Sequence, residues 1–213
     1  MPLPVLHSFA GYSLYRLTRK KNEGRKWRLI LLSVLLANLA DFDFLPGIQL
    51  GEATRYHRAL THTLGAAFLC GALVGLASWI VKKRAGLKNF LLASGVYFSH
   101  LVLDYIFGAP EGLLIFWPFT KTRFYSSTFP LRTHSALDFS KATNLPEFLG
   151  IFFSPLCVSA LFLELTIVFS LWAASEIWRD LKKWSRIEEP VVFLRGALAL
   201  FCWISFLLTR GIG

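Results

Sequence analysis

Residues 60–81 read Leu60-Thr-His-Thr-Leu-Gly-Ala-Ala-Phe-Leu-Cys-Gly-Ala-Leu-Val-Gly-Leu-Ala-Ser-Trp-Ile-Val81, and Lys82-Lys-Arg84 follow at once. From Thr63 to Val81 no charged side chain interrupts the run. At 1.5 Å per residue, about 20 such residues cross the roughly 30 Å of a bilayer's hydrocarbon. Comparable runs occupy 29–45, 88–107, 150–178 and 191–209. A shorter one, 3–17, follows Pro2 and contains Pro4, and reads as a half-inserted or re-entrant helix. In lipid each backbone amide must be paired within its own segment, and runs this long and continuously apolar are helices, not barrel strands. The expected fold is an all-α integral membrane bundle of five to six helices. It forms a single domain over 1–213 with an outward loop at about 108–149.

Composition agrees. Of 213 residues, 54% are apolar and 17% charged, and mean hydropathy is +0.51. That leaves too little polar surface for a soluble globule and excludes disorder, coiled coil and collagen. The net charge of +10 would suggest nucleic acid in a soluble protein. Here it is gathered in short clusters between apolar runs, so the partner it implies is the lipid bilayer, with no nucleic acid. Cys70, Cys157 and Cys202 each fall inside an apolar run and behave as small hydrophobes. The N-terminus lacks the pattern of a cleavable signal, because its positive charges follow the first apolar stretch.

The basic clusters set an orientation. Seven positive residues lie between Arg16 and Arg28, four more are Lys82, Lys83, Arg84 and Lys88, and a third group is Arg179, Lys182, Lys183 and Arg186. They sit at alternate connections, and the positive-inside rule makes all three cytoplasmic. Segments 46–59 and 108–149 then face outward, the latter opening on an interface-suited aromatic stretch, Phe116, Trp117, Phe119, Phe124 and Tyr125.

Against this frame the ionisable residues within or beside the runs are functional candidates, because each costs several kcal/mol in lipid unless paired or hydrated (about 2.5–3.5 on insertion scales). Asp41 and Asp43 lie in Asn38-Leu-Ala-Asp-Phe-Asp-Phe-Leu-Pro46. Residues two apart on a helix diverge by about 200°, so the two carboxylates converge only if the helix ends or unwinds there, as Pro46 and Gly47 would allow; otherwise they serve different ions. His57 and His62 are five apart, about 140° around a helix, which puts His57 before the helix and His62 in its first turn. Arg58, beside that turn, suits a phosphate or carboxylate. His100 and Asp104 are four apart and share a face. His7 and Gly11 have the same spacing, and Gly11 permits a close neighbour.

The topology was assigned from Lys and Arg alone, yet it brings Asp41, Asp43, His57, His62, His100 and Asp104 toward one side of the bundle. Taken singly, a membrane His is a helix–helix hydrogen-bonding residue and an Asp at a helix end is a cap. Taken together at one depth they form a carboxylate–imidazole metal site, with two or three ions possible, and the absence of cysteine favours hydrolysis over a structural zinc. Glu164, mid-run, reads as a protonated or structurally paired acid. His134 and Asp138, four apart in the outer loop, read as solvated surface, with a lid or auxiliary ligand as the alternative.

These motifs, in this order, resemble the LexA-regulated inner-membrane metal-dependent hydrolase family. They are His7 to Gly11, Asp41-Phe-Asp43, His57-Arg58-Ala-Leu-Thr61-His62-Thr63, His100 to Asp104, Pro110-Glu-Gly112 and Trp117-Pro-Phe119. The resemblance spans about half the chain and departs at Ala40, where the family pattern has proline. More distantly the pattern is similar to zinc-dependent phospholipase C enzymes, which implies phosphoester substrates. The reading that follows is a metal-dependent hydrolase in the inner (cytoplasmic) membrane, its site facing outward, acting on a phosphoester or lipid head group. The expected metal ligands are His7, Asp41, Asp43, His57, His62, His100 and Asp104, and the catalytic residues Asp43, Asp104 and Arg58. The cofactor is a divalent metal, zinc foremost, with manganese or iron as alternatives. Rival classes are a membrane haem protein with His62 and His100 as axial ligands, and a cation or proton transporter using the same cluster.

Overall fold

A computed structural model describes residues 3–18, 26–52, 57–82, 85–107, 112–126 and 142–181. The apolar run at 191–209, and His134 and Asp138, lie outside the described residues. The described chain is helical: α1 (Pro4–Leu17), α2 (Trp27–Asn38), a 3-10 turn (Leu39–Asp43), α3 (Phe44–Gln49), a second 3-10 turn (Leu60–His62), α4 (Leu64–Lys82), α5 (Gly86–Phe107), α6 (Leu145–Phe152) and α7 (Pro155–Leu181). Among the described residues four segments are long and apolar enough to cross a membrane: Trp27–Gln49, Leu64–Val81, Gly86–Phe107 and Pro155–Ser175. This agrees with the expected helical membrane bundle. Residues 1–157 form one compact unit; α7 from Val158 onward belongs to a second.

The first unit is built on a helix hairpin. α4 and α5 run antiparallel, and their register follows from three pairs: Gly71 faces Ser94, Gly75 faces Phe90, and Trp79 faces Gly86. Small residues let the backbones approach, which in lipid replaces the hydrophobic drive that water would supply. At Gly71 the approach is tightest, since a Cβ there would fall 2.8 Å from the Phe90 carbonyl and collide with the Ser94 hydroxyl. α1 and α2 pack on each other and on α5. α1 begins with Pro4, whose missing N–H costs nothing in a first turn, and buries His7, Gly11 and Tyr15 along one four-residue stripe. The core between the helices is mostly small: Ala37, Ala40, Ala67, Cys70, Ala93 and Val96, closed by Leu36 and Tyr97. Outward, α4 exposes Phe68, Leu69, Leu73, Trp79 and Val81, a surface suited to hydrocarbon.

Three details depart from the sequence expectations. The break before Asp41 begins at Asn38, not at Pro46 and Gly47, which lie inside α3. Asn38 donates its side-chain amide to the Val34 carbonyl (2.8 Å) and to the Ser8 hydroxyl of α1 (3.0 Å), tying the end of α2 to α1. His62 ends a 3-10 turn just before α4 and is not in that helix's first turn. The run expected from about 150 is two helices, α6 and α7, parted at Phe153–Ser154. The Ser154 hydroxyl caps α7 by accepting from the Cys157 N–H (3.2 Å). α6 is capped by Asn144, which accepts from the Glu147 N–H (2.9 Å), and packs Phe148, Ile151 and Phe152 around Phe44 and Ile48 of α3.

Replacing Gly71 by Val should force α4 off α5 and lower the stability of the detergent-solubilised protein by about 1–3 kcal/mol, the usual cost of overpacking. Thermal unfolding followed by circular dichroism measures it, and an unchanged midpoint would mean the hairpin has slack there.

Candidate metal centre

Each chemical group arrives here by a local backbone device. The 3-10 turn Leu39–Asp43 unwinds the end of α2, so that Asp41 and Asp43 are no longer a helical 200° apart in effect and each meets histidine. The turn Leu60–His62 swings the His62 ring under the start of α4. It is held by Tyr97, whose hydroxyl donates to the Thr61 carbonyl (2.8 Å). His100 and Asp104 stand one turn apart on α5, and both are fully buried. α1 brings His7 alongside because Gly11, one turn on, approaches α2 closely; a Cβ there would lie 2.6 Å from the Ser33 carbonyl.

Four donor atoms converge: Nε2 of His62, Nε2 of His100, an Asp41 Oδ and an Asp104 Oδ. The two imidazole nitrogens are 3.2 Å apart. His62 Nε2 lies 3.6 Å from Asp41 Oδ1 and 3.3 Å from Asp104 Oδ2. His100 Nε2 lies 3.5 Å from Asp41 Oδ1 and 3.6 Å from Asp104 Oδ2. A tetrahedral ion bound at 2.0–2.1 Å separates its ligands by about 3.3–3.4 Å, which is the scale of these five edges.

The far side of each ring fixes its tautomer. His100 Nδ1 faces the Ala37 carbonyl at 2.8 Å, and a carbonyl only accepts, so Nδ1 carries the hydrogen. Thr61 donates its hydroxyl to Asp43 Oδ2 (2.6 Å), leaving its oxygen to accept from His62 Nδ1 (3.0 Å), with Asp43 Oδ2 also 3.3 Å from that nitrogen. When the rings are neutral, both Nε2 atoms therefore present lone pairs to each other and to two carboxylates. Neither oxygen of Asp41 or Asp104 makes a hydrogen bond, although both residues are largely or wholly buried. Four mutually repelling acceptors without donors are costly in a protein interior unless a cation lies among them. Imidazoles whose outer nitrogen is tied to a carbonyl or carboxylate are the usual arrangement of metal-binding histidines. The residues present thus fit a divalent ion.

The remaining candidates are grouped differently. Asp43 joins His57 and His62 in a second cluster, but its oxygens are engaged. Oδ1 meets His57 Nδ1 at 2.8 Å, and Oδ2 accepts from Thr61 and from the Arg58 N–H (3.1 Å). Arg58 is buried and holds a left-handed backbone (φ 58°), unusual for a residue with a side chain and pinned by that bond. The His57 ring stacks on Phe44 (centroids 3.8 Å). Burial pushes the His57 imidazole below its ordinary value despite the Asp43 hydrogen bond, so it is neutral at pH 7 and donates to Asp43. At His62 burial also opposes charge, but the carboxylates of Asp104, Asp41 and Asp43 outweigh it and raise its affinity for a proton well above normal. His7 stacks on His100 (centroids 3.9 Å), with Nε2 at 3.6 Å from Asp104 Oδ1, the oxygen turned away from His62. Glu164 is buried within α7 and belongs to neither cluster. Sequence reasoning missed three supports: the Ala37 carbonyl, which no residue type announces, the Thr61 hydroxyl, which sits inside the quoted motif, and Tyr97.

The profile of the YdjM inner membrane protein family matches residues 1–177, which include every residue of both clusters. The chain belongs to that family. An inner-membrane location follows from that membership and from the apolar helices, and the LexA-regulated inner-membrane family expected from the motifs agrees with it. Comparison with curated proteins and with solved structures finds no match. The likeness to zinc-dependent phospholipase C rests on the sequence motifs alone.

Tyr97→Phe should cost about 0.5–1.5 kcal/mol of stability by removing the bond that braces the His62 turn. Unfolding midpoints in detergent test this, and an unaltered midpoint would show that the turn is held by other contacts.

Proposed function

We propose that this YdjM family protein is a metal-dependent hydrolase whose site faces outward from the inner membrane and acts on a phosphoester or lipid head group. The observation carrying the proposal is the convergence of two carboxylates with two imidazole nitrogens whose rings are already hydrogen-bonded through their other nitrogen. His62, His100, Asp41 and Asp104 would hold the ion, with zinc favoured by the tetrahedral edge lengths and the nitrogen–oxygen donor set. When bound, the ion would supply Lewis acidity toward a water or substrate oxygen that joins these residues as a further ligand, the open position a catalytic site requires.

The chain's own groups do the rest. Asp104 offers Oδ1, beside His7 Nε2, as the acceptor for the proton that water gives up, and His7 then shares it. Asp43 acts as a positioning residue, keeping His62 in the tautomer that points Nε2 inward. Arg58, fixed beside Asp43 through its own N–H, would balance the charge of a phosphate oxygen. This narrows the roles expected for Asp43 and His57, whose bonds to each other suit orientation better than ligation. Outward orientation is supported by the basic segments 16–28 and 82–88, since Lys88 lies about 18 Å along α5 from His100 and 24 Å from Asp104.

The rival readings draw less support. A haem with His62 and His100 as axial ligands needs a porphyrin between two opposed nitrogens, whereas these are 3.2 Å apart with carboxylates beside them. A transporter reading has no inverted repeat behind it.

Elemental analysis and hydrolysis of bis(p-nitrophenyl) phosphate by the purified protein test the proposal. About one or more equivalents of metal and a metal-dependent rate are expected in the wild type. Both are lost in His100→Ala and Asp104→Asn, and Asp43→Asn is weakened about 10- to 100-fold. Full metal content and full activity in His100→Ala would overturn it.

A further inference from the structure

At the opposite end of α5 from the metal centre, the last turn of α1 and the first turns of α5 enclose a groove of about 480 Å³. Its walls are Leu14, Leu17, Leu91 and Leu92, and Gly95 forms its inner end, where an added Cβ would meet nothing within 4 Å. Leu17 and Leu87 stand 81% and 73% exposed beside it. Along α5 the groove runs seven residues, about 10 Å, from Gly95 to Lys88, an exposed lysine that closes its mouth with Thr18. In the sequence Arg19, Lys20 and Lys21 directly follow Thr18, and Lys82, Lys83 and Arg84 come shortly before Lys88. The slot is apolar within and carries one positive charge, Lys88, at its mouth.

We propose that this groove is a binding site for an anionic phospholipid of the cytoplasmic leaflet, one acyl chain along Leu14, Leu91 and Leu92 and its phosphate against Lys88. Charge complementarity selects this occupant. A zwitterionic lipid brings the same phosphate but also an ammonium that Lys88 repels, so an anionic head group gains more at this mouth, as it does in basic pockets between helices at the cytoplasmic face. Gly95 keeps the slot open, since any larger side chain would fill its inner end. The site is independent of the hydrolase reading, because it shares no residue with the metal centre.

Native mass spectrometry of the full-length protein, equilibrated in detergent with equal amounts of phosphatidylglycerol and phosphatidylcholine of matched chains, tests the proposal. The wild type should retain phosphatidylglycerol preferentially. Lys88→Gln should lower that preference about fivefold, the worth of one lysine near an anionic surface. Gly95→Phe should lower retention of both lipids while leaving metal content unchanged. Lys88 is exposed at a helix start, so its variant decides the question even if Gly95→Phe unfolds, as a circular-dichroism melt would reveal. Equal retention of the two lipids by the wild type, an undiminished preference in Lys88→Gln, or no retained phospholipid because another stretch of the chain fills the groove, would each overturn it.

Discussion

The constraint on which the molecule turns is the meeting of four lone-pair donors in a largely buried space. His62 and His100 aim Nε2 at each other across 3.2 Å, and the unbonded oxygens of Asp41 and Asp104 crowd the same point. The surrounding core is made largely of alanine, valine and leucine side chains, and His7, 3.6 Å from Asp104 Oδ1, is the nearby group able to donate. Their mutual repulsion is relieved only by positive charge. A proton can serve, and the pull of three carboxylates on His62 is that demand expressed as basicity. A divalent ion serves better, because it satisfies all four donors at once and leaves each ring hydrogen on its outer nitrogen, where the Ala37 carbonyl and the Thr61–Asp43 pair already receive it.

The rest of the fold reads as means to that end. Close helix approach at Gly71 and Gly11 brings α4 to α5 and α1 to α2. The second contact is what lets His7 lie flat on His100 and reach Asp104. Two short 3-10 turns convert helix ends into ligand-bearing corners. An uninterrupted α2 would have sent Asp41 and Asp43 to opposite sides. α6 braces the other flank, since its aromatic residues surround Phe44, on which the His57 ring stacks. Lipid-facing leucines and phenylalanines elsewhere need no partner in hydrocarbon.

Much of this was legible in the residues, and what was not has physical reasons. The spans announced themselves because a membrane helix must be apolar all round, and the runs at 29–45, 60–81 and 88–107 correspond to Trp27–Gln49, Leu64–Val81 and Gly86–Phe107. His100 and Asp104 were readable as neighbours because helical spacing is regular. Asp41, Asp43 and His62 could be listed but not placed, since their geometry depends on where a helix breaks. Here the 3-10 turn begins at Leu39, seven residues before Pro46 and next to an Asn38 side chain bonded to Val34 and Ser8. The division between the inner four donors and the outer Asp43–His57 pair was also hidden, because it depends on a backbone carbonyl and a threonine hydroxyl with no distinctive spacing. The groove at Gly95 escaped notice for the same reason: a cavity is an absence between two helices, and sequence records only what is present.

The central claim is that these four side chains grip one ion. X-ray absorption at the metal edge of the purified protein measures it most directly. The account predicts two imidazole nitrogens and two carboxylate oxygens at about 2.0–2.2 Å, with a water oxygen beside them, and the imidazole signal halved in His100→Ala. A bound ion ringed by water alone, or a shell unchanged when His100 is removed, would contradict it.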